Sequence, residues 1–159
     1  MLKKRAISHY SPVKKLFNKI FKKENKEELY KNKILKKISE YHKKILDHKS
    51  VSFLHFGHLG DIINSLACLK EISKTKKCNL YIQLNKRIPS DVSDDNHPFG
   101  NVYLSEKSIN KLMPLLKKQA YIENVEIYNN QAVDIDLNYF RELPINFNMD
   151  SVRWYSHLM

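Results

Sequence analysis

The chain has 159 residues, of which 42% are apolar and 28% charged, and a formal net charge of +11, enough for one domain of ordinary size. Its two cysteines, without a CxxC or a His/Cys cluster at zinc spacing, exclude a disulfide scaffold and a zinc module, and they suggest a reducing cytoplasm. No apolar run approaches the roughly 20 residues of a membrane-spanning helix, and no apolar segment follows the basic N-terminus as a secretory signal requires.

Charge divides the chain. Residues 1–50 carry 16 Lys/Arg against 5 Asp/Glu, whereas residues 51–159 carry 12 of each. The whole excess therefore belongs to a basic arm on a neutral domain. Within the arm, Ser11-Pro12 is a helix start, with Ser at the N-cap and Pro at the first helical position. Val13, Leu16, Phe17, Ile20 and Phe21 then mark one helical face, with lysines around the rest. A second helix is predicted from Glu27-Glu28, where acidic residues suit the positive end of the dipole. Its stripe is Tyr30, Ile34, Ile38, Tyr41 and Ile45, and it ends between Asp47 and Ser50. Such an arm either packs its apolar stripe on the domain or lies on an anionic membrane surface. Nucleic acid is disfavoured, because the arm has a single arginine, Arg5, and no recognisable binding motif.

From Val51 the pattern becomes α/β. A strand is predicted over 51–56, a helix over 61–73 in which Cys68 is a small core residue, and a polar turn from Lys74 to Lys77. A second strand covers 79–84. Residues 85–100 are polar and without a regular element, as in a functional or disordered loop. Asp94, Asp95 and His97 lie there; loop aspartates are usually turn formers, and no metal is expected. A helix follows over 108–118, kinked or restarted at Pro114, then a strand over 125–128 and a turn at Asn129-Asn130. Residues 133–138 alternate apolar and acidic, compatible with a short strand. A helix begins between Met149 and Leu158. Alternation of strand and helix predicts a thin parallel sheet with right-handed crossovers. The apolar, aromatic end of the chain suggests a segment that packs on something further along, and so half of a larger architecture.

Two of the three glycines fall in Gly57-His58-Leu59-Gly60-Asp61, between the first strand and its helix. This is the usual place for a site in an α/β fold. The stretch is neither a P-loop nor the GxGxxG dinucleotide fingerprint. A helix N-terminus attracts phosphate, but Asp61 puts a carboxylate there, which favours a hydroxyl ligand instead. A carboxylate at a strand end, beside glycines that admit close approach, suits general-base chemistry on such a hydroxyl. The alternative is that Asp61 is only an N-cap. His58 is placed to hydrogen-bond an acceptor, or is simply an exposed polar residue of the turn. His55, inside the strand, is expected to have a satisfied polar contact.

His55-Phe56-Gly57-His58-Leu59-Gly60-Asp61-Ile62-Ile63-Asn64-Ser65-Leu66-Ala67-Cys68-Leu69 resembles the start of a family 9 glycosyltransferase, the group of lipopolysaccharide heptosyltransferases and their relatives. The Leu-Gly-Asp turn matches. The apolar-Pro-Ala-Leu segment of the family is held by Ser65 to Leu69, without its proline. Leu115-Leu116 and Tyr121 to Val125 match the family's third unit more weakly. The resemblance implies that Asp61 is the catalytic base and that Gly57 and Gly60 form the turn that admits the acceptor sugar, beside which His58 stands. It implies a Rossmann-like domain over 51–159, the N-terminal half of a GT-B architecture, preceded by the basic helical arm of 1–50. A second domain would bind the nucleotide-sugar donor, a co-substrate rather than a cofactor. The acceptor would be a glycan or a lipid-linked sugar at the cytoplasmic face of a membrane. A non-catalytic module binding a glycan, a partner protein or a membrane is the alternative.

Overall fold

The computed structural model describes residues 12–89, 101–145, 148 and 150–159, with side chains from Asn25 onward. Helix α1 (Pro12–Asp47) runs for 36 residues. The two helices expected in the arm are thus one, because no glycine or proline interrupts the chain after Pro12 until Gly57. Ser11, the predicted N-cap, lies outside the described residues. The chain forms two compact units, Met1–Lys37 and Ile38–Met159. In the first, Lys31 and Glu27 form an exposed i,i+4 ion pair at 3.2 Å. In the second, the last turns of α1 bury Tyr41 and half-bury Ile38 and Ile45, the expected stripe.

The second unit continues with β1 (Ser50–His55), α2 (Leu59–Ile72), β2 (Lys77–Ile82), α3 (Glu106–Lys117), β3 (Asn124–Ile127) and β4 (Ile135–Asp136). A 3-10 helix (Leu137–Glu142) and α4 (Ser151–Ser156) follow. The strands form one sheet in the order β3-β2-β1-β4, every pair parallel. This is the Rossmann-like α/β arrangement that the alternation predicts. Strands β1, β2 and β3 begin one or two residues earlier than the patterning suggests, and α2 begins at Leu59 rather than Asp61.

Register explains the core. Phe53 pairs with Leu80 on one side and Ile135 on the other, and Leu80 with Val125. These residues share one face of the sheet and are buried, while Ser52, Leu54, Asn79 and Tyr81 between them are half-buried. Helix α2 covers that face with Ile62, Leu66, Leu69 and Ile72, spaced at three and four residues along one stripe. Helix α3 adds Ile109, Leu112 and Leu116. It starts at an N-cap, Ser105, whose hydroxyl accepts the Ser108 N–H. Pro114 neither ends nor restarts it: the proline lies exposed in the last turns, where the helix continues with one fewer internal bond.

The stretch after β2 was expected to hold no regular element. Its described residues, 85–89, hold no named strand or helix, but Arg87 forms an isolated antiparallel bridge with Val102, and Asn85 N–H donates to Leu104 O at 2.9 Å. Asp94, Asp95 and His97 lie outside the described residues. The apolar end of the chain finds its partner within this unit. Tyr155 and Leu158 are fully buried, and α4 packs on α2 and the 3-10 helix.

Asp134 staples the start of β4 to β1. Its Oδ2 accepts from Ser52 N–H and from the Ser52 hydroxyl, both at 2.9 Å, and His48 Nδ1 lies 3.2 Å from Oδ1. Burial alone would raise the Asp134 carboxyl, but the Ser52 hydrogen bonds and His48 together hold it below its ordinary value. A carboxyl depressed on folding adds stability above its unfolded value of about 3.9, and that stability is lost as pH falls through the folded value. Asp134→Asn should therefore lose about 1–3 kcal/mol at pH 7. The gap to wild type should close on acidification below about pH 4; urea titrations across pH 7 to 3 measure both, and a gap independent of pH would refute the assignment.

Candidate functional site

The strand order creates a crevice. From β1 the chain winds outward through β2 to β3, then returns to add β4 on the opposite edge of β1. Beyond the carboxyl ends of β1 and β4 the two connections diverge, and in open α/β sheets ligands bind at such a switch point. Two segments line this one: Phe56 to Asp61 after β1, and the 3-10 helix after β4.

Gly57 is buried, and a Cβ on it would stand 2.6 Å from His55 Cε1, 2.7 Å from Asp61 Oδ2 and 2.8 Å from Asp61 Cβ. Only glycine lets the turn fold back over its own strand. Gly60 differs: it is exposed, and a Cβ there would meet nothing within 4 Å. Its surroundings are open space at the mouth of the crevice.

His58, not Asp61, is the N-cap of α2; Asp61 is the third residue of the helix. From there its Oδ2 accepts the His58 N–H at 3.1 Å, the reciprocal half of a capping box. The same oxygen accepts from Arg141 Nη2 at 2.8 Å, and the two side chains are 20% and 26% exposed, which makes a partly desolvated ion pair. Among the described residues these bonds to Asp61 fall on Oδ2, and none falls on Oδ1. Oδ2 is thus anchored twice, while Oδ1 has no donor among the described residues.

Arg141 arrives from the 3-10 helix and is held by more than charge. Its Nη1 donates to Asn138 Oδ1 at 3.2 Å. Its guanidinium lies over the Phe140 ring at 4.4 Å, with Tyr103 at 5.2 Å and Phe56 at 5.7 Å. Asn138, nearly fully buried, joins both segments: its Oδ1 also accepts the Phe56 N–H at 3.1 Å, and its Nδ2 donates to Asp136 Oδ1 at 2.7 Å. Around the pair stand Phe56, Tyr103 and His58, the last with its ring 5.3 Å from Tyr103. Lys86 Nζ is 5.6 Å from the Phe56 ring.

His55 has the satisfied polar contacts expected of it. It is fully buried; Nδ1 accepts the Gly57 N–H at 2.9 Å, so the neutral ring carries its proton on Nε2, which donates to Tyr155 Oη at 3.0 Å. Burial, reinforced by the nearby Arg141 charge, pushes its pKa down to about 3. The ring stays uncharged and acts as a fixed polar fitting. The thiols are inert: burial raises Cys68 to about 12 and Cys78 to about 11, so neither offers a thiolate nucleophile. Among the described residues no His, Cys, Asp and Glu side chains are grouped so as to hold a metal ion.

The structure places Gly57, His58, Gly60 and Asp61 together at the crevice. Sequence reading missed Arg141, Asn138 and the rings of Phe56 and Tyr103. A short strand followed at once by Asn138 and Arg141 was the available signal, but only with the position of β4 beside β1 does it become a site.

The two glycines give opposite expectations. Gly57→Ala should destabilise by about 1–3 kcal/mol through overpacking and displace Asp61. Gly60→Ala should raise stability by about 0.4–1 kcal/mol, while a ligand that enters over Gly60 loses affinity. Thermal melts of both variants check this; a Gly57→Ala protein as stable as wild type would refute the close-approach role. Comparison with protein families, with characterised proteins and with solved structures yields no match to this chain.

Proposed function

We propose that the second unit is the acceptor-binding half of a sugar-transferring enzyme, with Asp61 as general base. The observation that carries this is the divided carboxylate: Oδ2 is held by His58 N–H and Arg141, and Oδ1 has no protein donor among the described residues. An acceptor hydroxyl donates to Oδ1 and attacks the anomeric carbon of a nucleotide sugar. The carbon–oxygen bond to the donor phosphate breaks, the nucleotide leaves with the electron pair, and the hydroxyl proton passes to Oδ1. Half-buried rings of Phe56, Tyr103 and His58 offer apolar faces for a sugar ring, and the open space at Gly60 admits it. The local likeness of residues 55–69 to family 9 glycosyltransferases points to the same role. The donor would be bound by another α/β unit facing this edge of the sheet.

A second reading is favoured by the Arg141 pair itself. The guanidinium 2.8 Å from the carboxylate forms with it a fixed donor–acceptor pair of the kind that binds polar ligands without chemistry. In that reading the pair holds neighbouring hydroxyls of a glycan and no transfer follows. Asp61→Asn separates the two. If Asp61 is the base, transfer from nucleotide sugars to glycan acceptors falls by about a hundredfold or more, with acceptor affinity little changed and the fold retained by circular dichroism. If it is a binding group, wild type retains glycans without transferring sugar, and Asp61→Asn abolishes that retention. Wild type that neither transfers nor retains any glycan defeats both.

The basic arm completes the proposal as an attachment to the anionic cytoplasmic face of a membrane. No helix among the described residues is long and apolar enough to cross one, while 16 of the 28 Lys/Arg lie in residues 1–50, and each such charge contributes about 1 kcal/mol near an anionic surface. The chain should float with vesicles containing anionic phospholipid at low salt and be released as salt rises. Equal flotation with zwitterionic vesicles would overturn the electrostatic attachment.

A further inference from the structure

The C-terminal helix α4 touches both members of the Asp61–Arg141 pair through intermediaries. On one side, Tyr155 Oη accepts from His55 Nε2 at 3.0 Å, and His55 Nδ1 accepts the N–H of Gly57 at 2.9 Å. Gly57 is the residue whose missing side chain makes room for the Asp61 carboxylate, with the His55 ring as the other wall of that space. On the other side, Trp154 stacks on Phe140 at 5.4 Å and 22°, and the Tyr155 ring leans on it at 4.9 Å. Phe140 in turn is the ring beneath the Arg141 guanidinium. Tyr155 therefore contacts both paths and is itself fully buried.

We infer that His55 and Tyr155 are positioning residues for the candidate site: α4, docked on α2, sets the Gly57 turn through His55 and the Arg141 guanidinium through Phe140, so that the two halves of the ion pair are aligned by one helix. The physical ground is that each path is short, buried and specific in geometry. A buried imidazole whose two nitrogens are both engaged has one tautomer and one ring orientation, and it passes that constraint to the backbone N–H it accepts from. A ring clamped between Trp154, Tyr155 and a guanidinium has little rotational freedom. Nothing else in the described turn fixes the Gly57 N–H. Helix α4 is anchored independently of both paths, by Asn64 Nδ2 donating to Ser151 Oγ at 2.6 Å and by the buried Leu158. Loss of the Tyr155 hydroxyl should therefore leave the helix docked while freeing the imidazole.

The role of this device in binding or transfer rests on the function proposed above, but its existence does not, and the test separates the two. In the full chain, Tyr155→Phe keeps the ring and removes the acceptor of His55 Nε2–H. The Gly57 amide should exchange with solvent at least about tenfold faster relative to other core amides, and the His55 ring nitrogen and Arg141 side-chain resonances should shift. Trp154→Leu should shift the Arg141 resonances and leave the Gly57 amide unchanged, because it loosens only the Phe140 path. Val125→Ala, in β3, should lower the melting temperature with neither effect, which controls for plain destabilisation. Gly57 exchange and Arg141 resonances at wild-type values in Tyr155→Phe would overturn the inference. So would the same changes in Val125→Ala. Where transfer or glycan retention is measurable, Tyr155→Phe should weaken it about tenfold; absence of any such activity in wild type counts against the proposed function alone, since the resonance and exchange measurements decide the positioning role.

Discussion

The pairing of β4 with β1 depends on side chains more than on its ladder. Strand β4 is two residues long, and its register comprises only Phe53 with Ile135 and Leu54 with Asp136. On either side of this short ladder a buried or half-buried polar side chain reaches across. Asp134 takes two hydrogen bonds from Ser52 below it. Asn138 takes the Phe56 N–H above it. Tyr41 adds a third clasp, its hydroxyl accepting the Asp136 N–H at 3.2 Å. Removing one partner of a buried hydrogen bond of this kind costs about 1–3 kcal/mol. Loss of these bonds would free the 3-10 helix and with it Arg141, so the candidate site is built on this seam.

The seam also accounts for the electrostatics of the crevice. Asp61 and Arg141 come from segments 80 residues apart in sequence and meet only because β1 and β4 are neighbours. Their pair is partly desolvated, and the attraction between them is correspondingly stronger than on an open surface. Anchoring one carboxylate oxygen to a backbone N–H and a guanidinium removes rotational freedom from Asp61, and its second oxygen has no donor among the described residues. In the proposed function that second oxygen is the one that receives an acceptor hydroxyl.

Much of the scaffold is legible in the sequence. The periods of two and of three to four residues marked β1, α2, β2, α3 and β3, because burial on one face imposes those periods directly. Gly57 and Asp61 stood out since glycine is scarce and a carboxylate at a helix start has few uses. The internal satisfaction of His55 was also expected. Other features were not visible. The continuity of α1 was hidden because a long basic stretch with two apolar stripes reads as two helices. Pro114 does not break α3, since a proline on the exposed side near the helix end costs only its own hydrogen bond and local packing. The 3-10 helix carries no period of its own: six residues are too few to repeat.

The amino-acid sequence by itself determined the local elements, the basic arm and a carboxylate at a strand–helix turn, because each follows from spacing and residue type within about a dozen neighbours. Only the tertiary structure decided that β4 returns beside β1, that Arg141 meets Asp61, and that Tyr155 of the last helix supports His55. Those three facts join residues 80 to 100 positions apart. Their partners are selected by the order of strands in the sheet, and no local pattern encodes that order. A two-residue strand has almost no pattern of its own, yet its placement decides which side chains share the crevice.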